Sequence, residues 1–174
     1  YQFPTLGQAL TDLIQRDQFN QNGLKKFQTE MFVDKPIDKV FEFFADPSNL
    51  EELTPPWLNF NIVSPEPLGI GLGAIIDYKL RVHRVPISWQ SEITKWDPPS
   101  LFVDLQNKGP YRHWEHTHEF RQSGKRTLVR DTVSYKVPGG FIVDRLLVRR
   151  DIKRIFEYRR LKLEELLNTG PTFP

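Results

Sequence analysis

The chain has 174 residues, with 24 Lys and Arg against 22 Asp and Glu, a net charge of +2, and no cysteine. One domain with its own core is expected, since chains split into further domains only beyond ~250 residues. The missing cysteines exclude a disulfide framework, thiolate zinc and a cysteine nucleophile, and the near-balanced charge gives no footprint for nucleic acid.

No apolar run approaches the ~20 residues of a bilayer span. Gln8, Thr11, Asp12, Gln15 and Arg16 interrupt the N-terminal apolar residues, which is unlike a signal peptide. A soluble, cytoplasmic protein is the expectation. Opening on Tyr1 instead of Met fits a piece of a longer chain.

Leu6, Leu10, Leu13 and Ile14 have helical spacing, so residues 5–18 predict a short amphipathic helix. Residues 1–26 are read as an N-terminal helical extension, 27–168 as the main domain and 169–174 as a tail. Phe27 to Asp34 is strand-like. Asp34 is expected to cap a helix with Pro36 near its start and Ile37, Val40, Phe41 and Phe44 on one stripe. A second helical stretch, Asn49 to Leu53, runs into Thr54-Pro55-Pro56-Trp57, which must be extended or turning.

Strands are expected at 58–64, 73–82, 85–95, 100–107, 111–122 and 126–137, separated by turn signals. A long helical pattern then runs to about Leu167. The fold class is α+β: a curved antiparallel sheet wrapped around a long C-terminal helix, with two short helices after the first strand. Residues 58–137 leave no room for the crossover helices of a parallel sheet.

Side-chain parity tests this reading. A two-residue turn at His83-Arg84 sets Tyr78 opposite Trp89, Leu80 opposite Ile87 and Ile76 opposite Ser91. A turn at Ser123-Gly124 sets His118 against Val129, His116 against Asp131 and Trp114 against Val133. A turn near Lys108-Gly109 sets Trp114 against Val103 and His116 against Leu101. All three put one apolar face inward, as register in a one-sided sheet requires.

That face mixes Tyr78, Trp89, Trp114 and Phe120 with Ser91, His116, His118, Asp131 and Tyr135. Mostly apolar walls with a few polar groups describe a small-molecule pocket; a filled core with a satisfied polar cluster is the alternative. His116 is expected to pair with Asp131, because a buried carboxylate needs a donor, and the pair would raise the histidine's pKa. His116, His118 and Asp131 are also the candidates for general acid/base work or a metal triad, but no nucleophile motif accompanies them. Neither a metal nor a cofactor is expected, and a binding role is preferred to an enzymatic one.

Gly69-Ile70-Gly71-Leu72-Gly73 is followed by a strand, whereas a dinucleotide loop needs a helix there. With Thr54–Leu58 it forms either a gate at the pocket mouth or a packed turn. Arg145, Arg149, Arg150, Lys153, Arg154, Arg159, Arg160 and Lys162 on the last helix form a solvated face or a strip for peripheral membrane contact.

The run Phe32-x-Asp34-x-Pro36-x-x-x-Val40-Phe41-x-Phe43-Phe44 resembles the opening of the START-related SRPBCC, or helix-grip, superfamily. Thr54-Pro55-Pro56-Trp57, Gly109-Pro110-Tyr111-Arg112-x-Trp114-x-His116-x-His118-x-Phe120 and Arg130-Asp131-x-Val133-x-Tyr135 are similar to a bacterial ligand-binding branch of it, often labelled cell-division-inhibitor-like. The likeness covers residues 27–165. It implies an internal cavity without naming the ligand; the expectation is a carrier or sensor of a lipid, isoprenoid or aromatic polyketide, with Trp57, Tyr78, Trp89, Trp114 and Phe120 lining the cavity. His116, His118, Asp131 and Tyr135 would orient a polar end. Members include polyketide cyclases, so a cyclase or dehydratase using these histidines is the enzymatic alternative, and an interaction domain without a ligand the third.

Overall fold

A computed structural model describes residues 24–64, 69–139 and 143–168. The expected N-terminal helix and the C-terminal tail lie outside the described residues. The elements are β1 (Lys25–Val33), α1 (Ile37–Phe44), α2 (Ser48–Glu52), a 3₁₀ turn (Pro56–Leu58), β2 (Asn61–Ile62), β3 (Ile75–Val82), β4 (Val85–Asp97), β5 (Leu101–Lys108), β6 (His113–Ser123) and β7 (Arg126–Lys136). A π-helical turn (Asp144–Val148) then leads into α3 (Arg149–Asn168).

The strands form one antiparallel sheet in the order β1-β7-β6-β5-β4-β3-β2. Register shifts between β4 and β5 at Gln90/Ser91 and Ile93/Lys95 add local twist and bend, as bulges do. The last helix buries Ile152, Phe156, Arg159, Leu163 and Leu167, a stripe at helical spacing. Val40, Phe41 and Phe44 of α1 join Val33, Ile93, Phe102, Phe120, Val129 and Leu163 in the main core. No helix among the described residues is long and apolar enough to cross a membrane.

Asp34 does not cap α1. The residue before the helix is Pro36, with no side-chain cap. Instead Gln122 Oε1 accepts from the Ile37 N–H at 2.8 Å, tying the helix to the end of β6. The strand expected at 58–64 is only two residues long, because Pro55 and Pro56 lead into the 3₁₀ turn and Asn59 takes a positive φ of 46°.

The His83-Arg84 turn is as expected. Both residues have positive φ, 50° and 69°, which matches the twist of paired strands, and Tyr78 opposes Trp89. The β6–β7 hairpin turns instead at Gly124-Lys125, with Ser123 opposite Arg126. That shift of two residues keeps every side chain on its face but sets His118 opposite Asp131, His116 opposite Val133 and Trp114 opposite Tyr135.

The β5–β6 connection changes more. His116 lies opposite Asp104, where Leu101 was expected, and Val103 lies opposite Thr117, where Trp114 was expected, so β5 is turned over relative to the expectation. The cause is a longer connection through Gly109–Arg112, held by the Gln106 side chain. Its amide donates to the Tyr111 carbonyl at 2.8 Å and its oxygen accepts from the Tyr111 N–H. A Cβ on Gly109 would collide with Gln106 Oε1, so the glycine lets this brace approach.

Candidate functional site

Between sheet and helix the side chains leave a cavity of about 210 Å³. One water needs only ~10–15 Å³, so this is space for a molecule. Tyr78, Trp89, Trp114, His116 and His118, all expected there, line it. Leu50 and Leu53 around α2, Leu58, Ile70 and Ile155 of α3 complete the apolar wall.

Two polar patches interrupt that wall. In the first, Ser91 Oγ accepts from the Trp89 indole N–H at 3.1 Å and pairs with the Tyr78 hydroxyl at 2.9 Å. The rings of Tyr78 and Trp89 stack at 5.9 Å, and Trp114 meets Trp89 edge-on at 5.5 Å. Burial raises the Tyr78 pKa, so its hydroxyl stays protonated as a donor.

The second patch is a buried ionic cluster. Asp131 Oδ1 lies 2.9 Å from His116 Nε2, and Asp104 Oδ2 lies 3.0 Å from His118 Nε2. His118 Nδ1 is also 2.9 Å from Asp131 Oδ1, but off the line of an N–H bond, so it makes a close contact without an aligned hydrogen bond. His116 Nδ1 faces Asp104 Oδ2 at 3.7 Å. Arg159 reaches in from α3, its Nε 3.7 Å from Asp131 Oδ2 and its guanidinium 5.2 Å above the Phe44 ring. His118 stacks on Phe102 at 4.1 Å.

Charge balance explains the protonation pattern. Burial disfavours both carboxylates as anions, but Arg159 and the two imidazoles outweigh it, holding Asp131 well below the usual carboxylate range and Asp104 below it. His116 is pushed down, first by burial and then by its neighbour His118. His118 is raised: burial opposes its charge, but Asp104 and Asp131 together prevail. The expected His116–Asp131 pair therefore exists, yet the raised pKa belongs to His118. Two carboxylates thus meet Arg159 and two imidazoles, of which His118 holds its proton more tightly than His116.

Asp104 and Arg159 are the members that sequence reasoning missed. Asp131, Phe120 and Tyr135 stand behind the wall: Asp131 braces both histidines, Phe120 sits in the main core and Tyr135 packs with Val133, Ile152 and Phe156. Trp57 is outside the cavity. It is 48% exposed, packed against Tyr158 and under the Arg154 guanidinium at 5.1 Å. Trp57→Ala should therefore cost about 1 kcal/mol or less of stability and leave the affinity for a fluorescent probe such as anilinonaphthalene sulfonate within twofold; a tenfold loss would contradict this placement.

The basic strip is partly neutralised within the chain. Arg160 pairs with Glu157 and Glu164, Lys162 pairs with Glu165, and Arg159 is buried. That leaves fewer of its charges for an anionic surface than composition alone suggests.

Residues 33–158, more than half of the chain, match the family model for polyketide cyclase/dehydrase and lipid transport proteins. The chain belongs to this family. Its helix-grip architecture is shared with three solved structures of low identity. TTHA0849 from Thermus thermophilus is 19% identical, with a TM-score of 0.67, 84% of this chain and 99% of that one being covered. The major latex-like protein 151 from Panax ginseng is 12% identical with a TM-score of 0.63, covering 83% and 97%. The ZhuI aromatase/cyclase from Streptomyces sp. R1128 is 15% identical with a TM-score of 0.60, covering 84% and 98%. No curated protein matches the sequence. Within this polyketide cyclase/dehydrase family the helix-grip sheet encloses the cavity described above, and the sequence resemblance pointed to the same superfamily.

Proposed function

We propose that this chain binds and carries, or senses, an apolar molecule with one oxygen-bearing end, of the lipid, isoprenoid or aromatic polyketide type. The observation that carries the reading is a space of about 210 Å³ with apolar walls and two polar patches. Apolar area supplies affinity, and the polar groups fix orientation. Tyr78 and Ser91 would hydrogen-bond one polar group of the ligand; His116, His118 and Arg159 would take a carbonyl, hydroxyl or carboxylate. Trp89 and Trp114 supply flat faces for a ring or a chain between them.

The enzymatic alternative uses His116 as a base. Burial keeps its imidazole neutral and its Nε2 is engaged by Asp131, so Nδ1 holds the lone pair. Native mass spectrometry of protein purified from its own host tests the reading. A co-purified apolar compound recovered unchanged after incubation is expected. Conversion of that compound would favour the enzyme, and its absence under conditions that preserve other carriers would count against both.

A further inference from the structure

Asp104, His116 and His118 each offer one ligand atom, and these atoms lie within 4.8 Å of one another. All three residues line the cavity. Asp104 Oδ2 is 3.0 Å from His118 Nε2 and 3.7 Å from His116 Nδ1. With bonds of about 2.0–2.1 Å, an octahedral or tetrahedral ion sets neighbouring donors roughly 3.0–3.4 Å apart. The two distances from Asp104 are therefore within a few tenths of an ångström of that range, and the two imidazole donors lie within 4.8 Å of each other.

The surroundings carry the argument further. Each imidazole turns one nitrogen toward Asp104 and the other toward Asp131: His116 by Nε2 and His118 by Nδ1, both at 2.9 Å from Asp131 Oδ1. Metal-bound histidines characteristically give their second N–H to a carboxylate, which fixes the tautomer that leaves the ligating nitrogen bare. Asp131 Oδ1 occupies that place for His116 and lies beside Nδ1 of His118 without an aligned hydrogen bond, with Arg159 behind it. A purely structural network leaves two facts unexplained. The His118 side chain is only 5% exposed, yet its Nδ1 has no aligned hydrogen bond, and neither has Arg159 Nε.

We propose that Asp104 Oδ2, His116 Nδ1 and His118 Nε2 form a binding site for one divalent first-row transition-metal ion, with Asp131 as its outer carboxylate and the remaining coordination positions facing the cavity. Imidazole ligands favour zinc, iron, cobalt or nickel over magnesium or calcium. An ion there would act on an oxygen of the bound molecule as a Lewis acid. The sequence reading expected no metal, and the triad it considered took Asp131 with His116 and His118 instead of Asp104.

The test uses untagged, chelator-treated protein titrated with Co²⁺ and, separately, with Zn²⁺. Expected are one Co²⁺ per chain with visible ligand-field bands, and Zn²⁺-dependent ¹⁵N shifts at His116 and His118 but not at His83 or His113. Asp104→Asn, checked for folding by circular dichroism, should lose the bands. Asp131→Asn, where it folds, should weaken binding by about 10–100-fold. No stoichiometric uptake by the wild-type protein, shifts confined to His83 and His113, or bands retained in folded Asp104→Asn would each overturn the site. Probe binding in the cavity is read in the same metal-free samples. Protein that takes up the probe but no ion removes the metal site and leaves the ligand-binding reading standing.

Discussion

Asp131→Asn should destabilise the protein by about 3–5 kcal/mol, the usual cost of removing one partner from a buried ion pair. The variant keeps the shape and a hydrogen-bond acceptor but loses the charge that faces Arg159 and both histidines. The penalty is chiefly that of leaving the Arg159 guanidinium without the carboxylate it faces where water is scarce, since Asp104 still serves His118. Urea denaturation against the wild type measures it. Glu119→Gln is the control, since Glu119 is 39% exposed and its contact with Arg130 is 3.8 Å long; it should stay within about 0.5 kcal/mol. A shift for Asp131→Asn as small as that of the control would mean that the cluster is solvated and not sealed.

The second large effect concerns the empty space. Ile155 sits on α3 and borders the cavity near Leu58, Leu80 and Trp89. Ile155→Trp places an indole where the wild type has none, so affinity for anilinonaphthalene sulfonate should fall at least tenfold, equivalent to about 1.4 kcal/mol. Stability should change little, because the ring enters free space instead of displacing neighbours. A melting temperature within about 4 °C, roughly 1 kcal/mol for a chain of this size, is expected. A variant that loses 2–3 kcal/mol of stability, as overpacked cores do, would show that the space is already filled.

Much of this was legible in the alternation of β3 and β4. Ile76, Tyr78 and Leu80 against Ile87, Trp89 and Ser91 specify one apolar face, and His83-Arg84 specifies the turn; both register and face follow. In β6 and β7 the faces were legible but the pairing was not. A two-residue slip keeps side-chain parity, and Ser123-Gly124 and Gly124-Lys125 are equally good turn signals. The pairing of Ser123 with Arg126 marks Gly124-Lys125 as the pair that is used.

Asp104 stayed hidden for a physical reason. In β5 the set Leu101, Val103 and Leu105 is more apolar than Phe102, Asp104 and Gln106, so hydrophobic alternation selects the wrong face. What reverses it is a side-chain brace from Gln106 to the backbone of Tyr111, which no periodicity records. Arg159 did leave a signal. It occupies the fourth-and-third spacing of Ile152, Phe156, Leu163 and Leu167, the one charged member of an apolar stripe, and a charge in that position must face a buried partner. Trp57 misled in the opposite sense: an aromatic beside prolines suggested a lid, but the 3₁₀ turn aims it at α3 from outside.

The central claim is that the last helix closes a space it does not fill, and that an apolar molecule enters there. The four tryptophans provide a built-in reporter, because Trp89 and Trp114 border the space while Trp57 and Trp96 do not. Titration of ¹⁵N-labelled protein with anilinonaphthalene sulfonate, following the four indole N–H signals, tests the claim most directly. The account predicts that the Trp89 and Trp114 signals move together and saturably while those of Trp57 and Trp96 stay in place. Movement of Trp57 alone, or no saturable movement at Trp89 and Trp114, would contradict it.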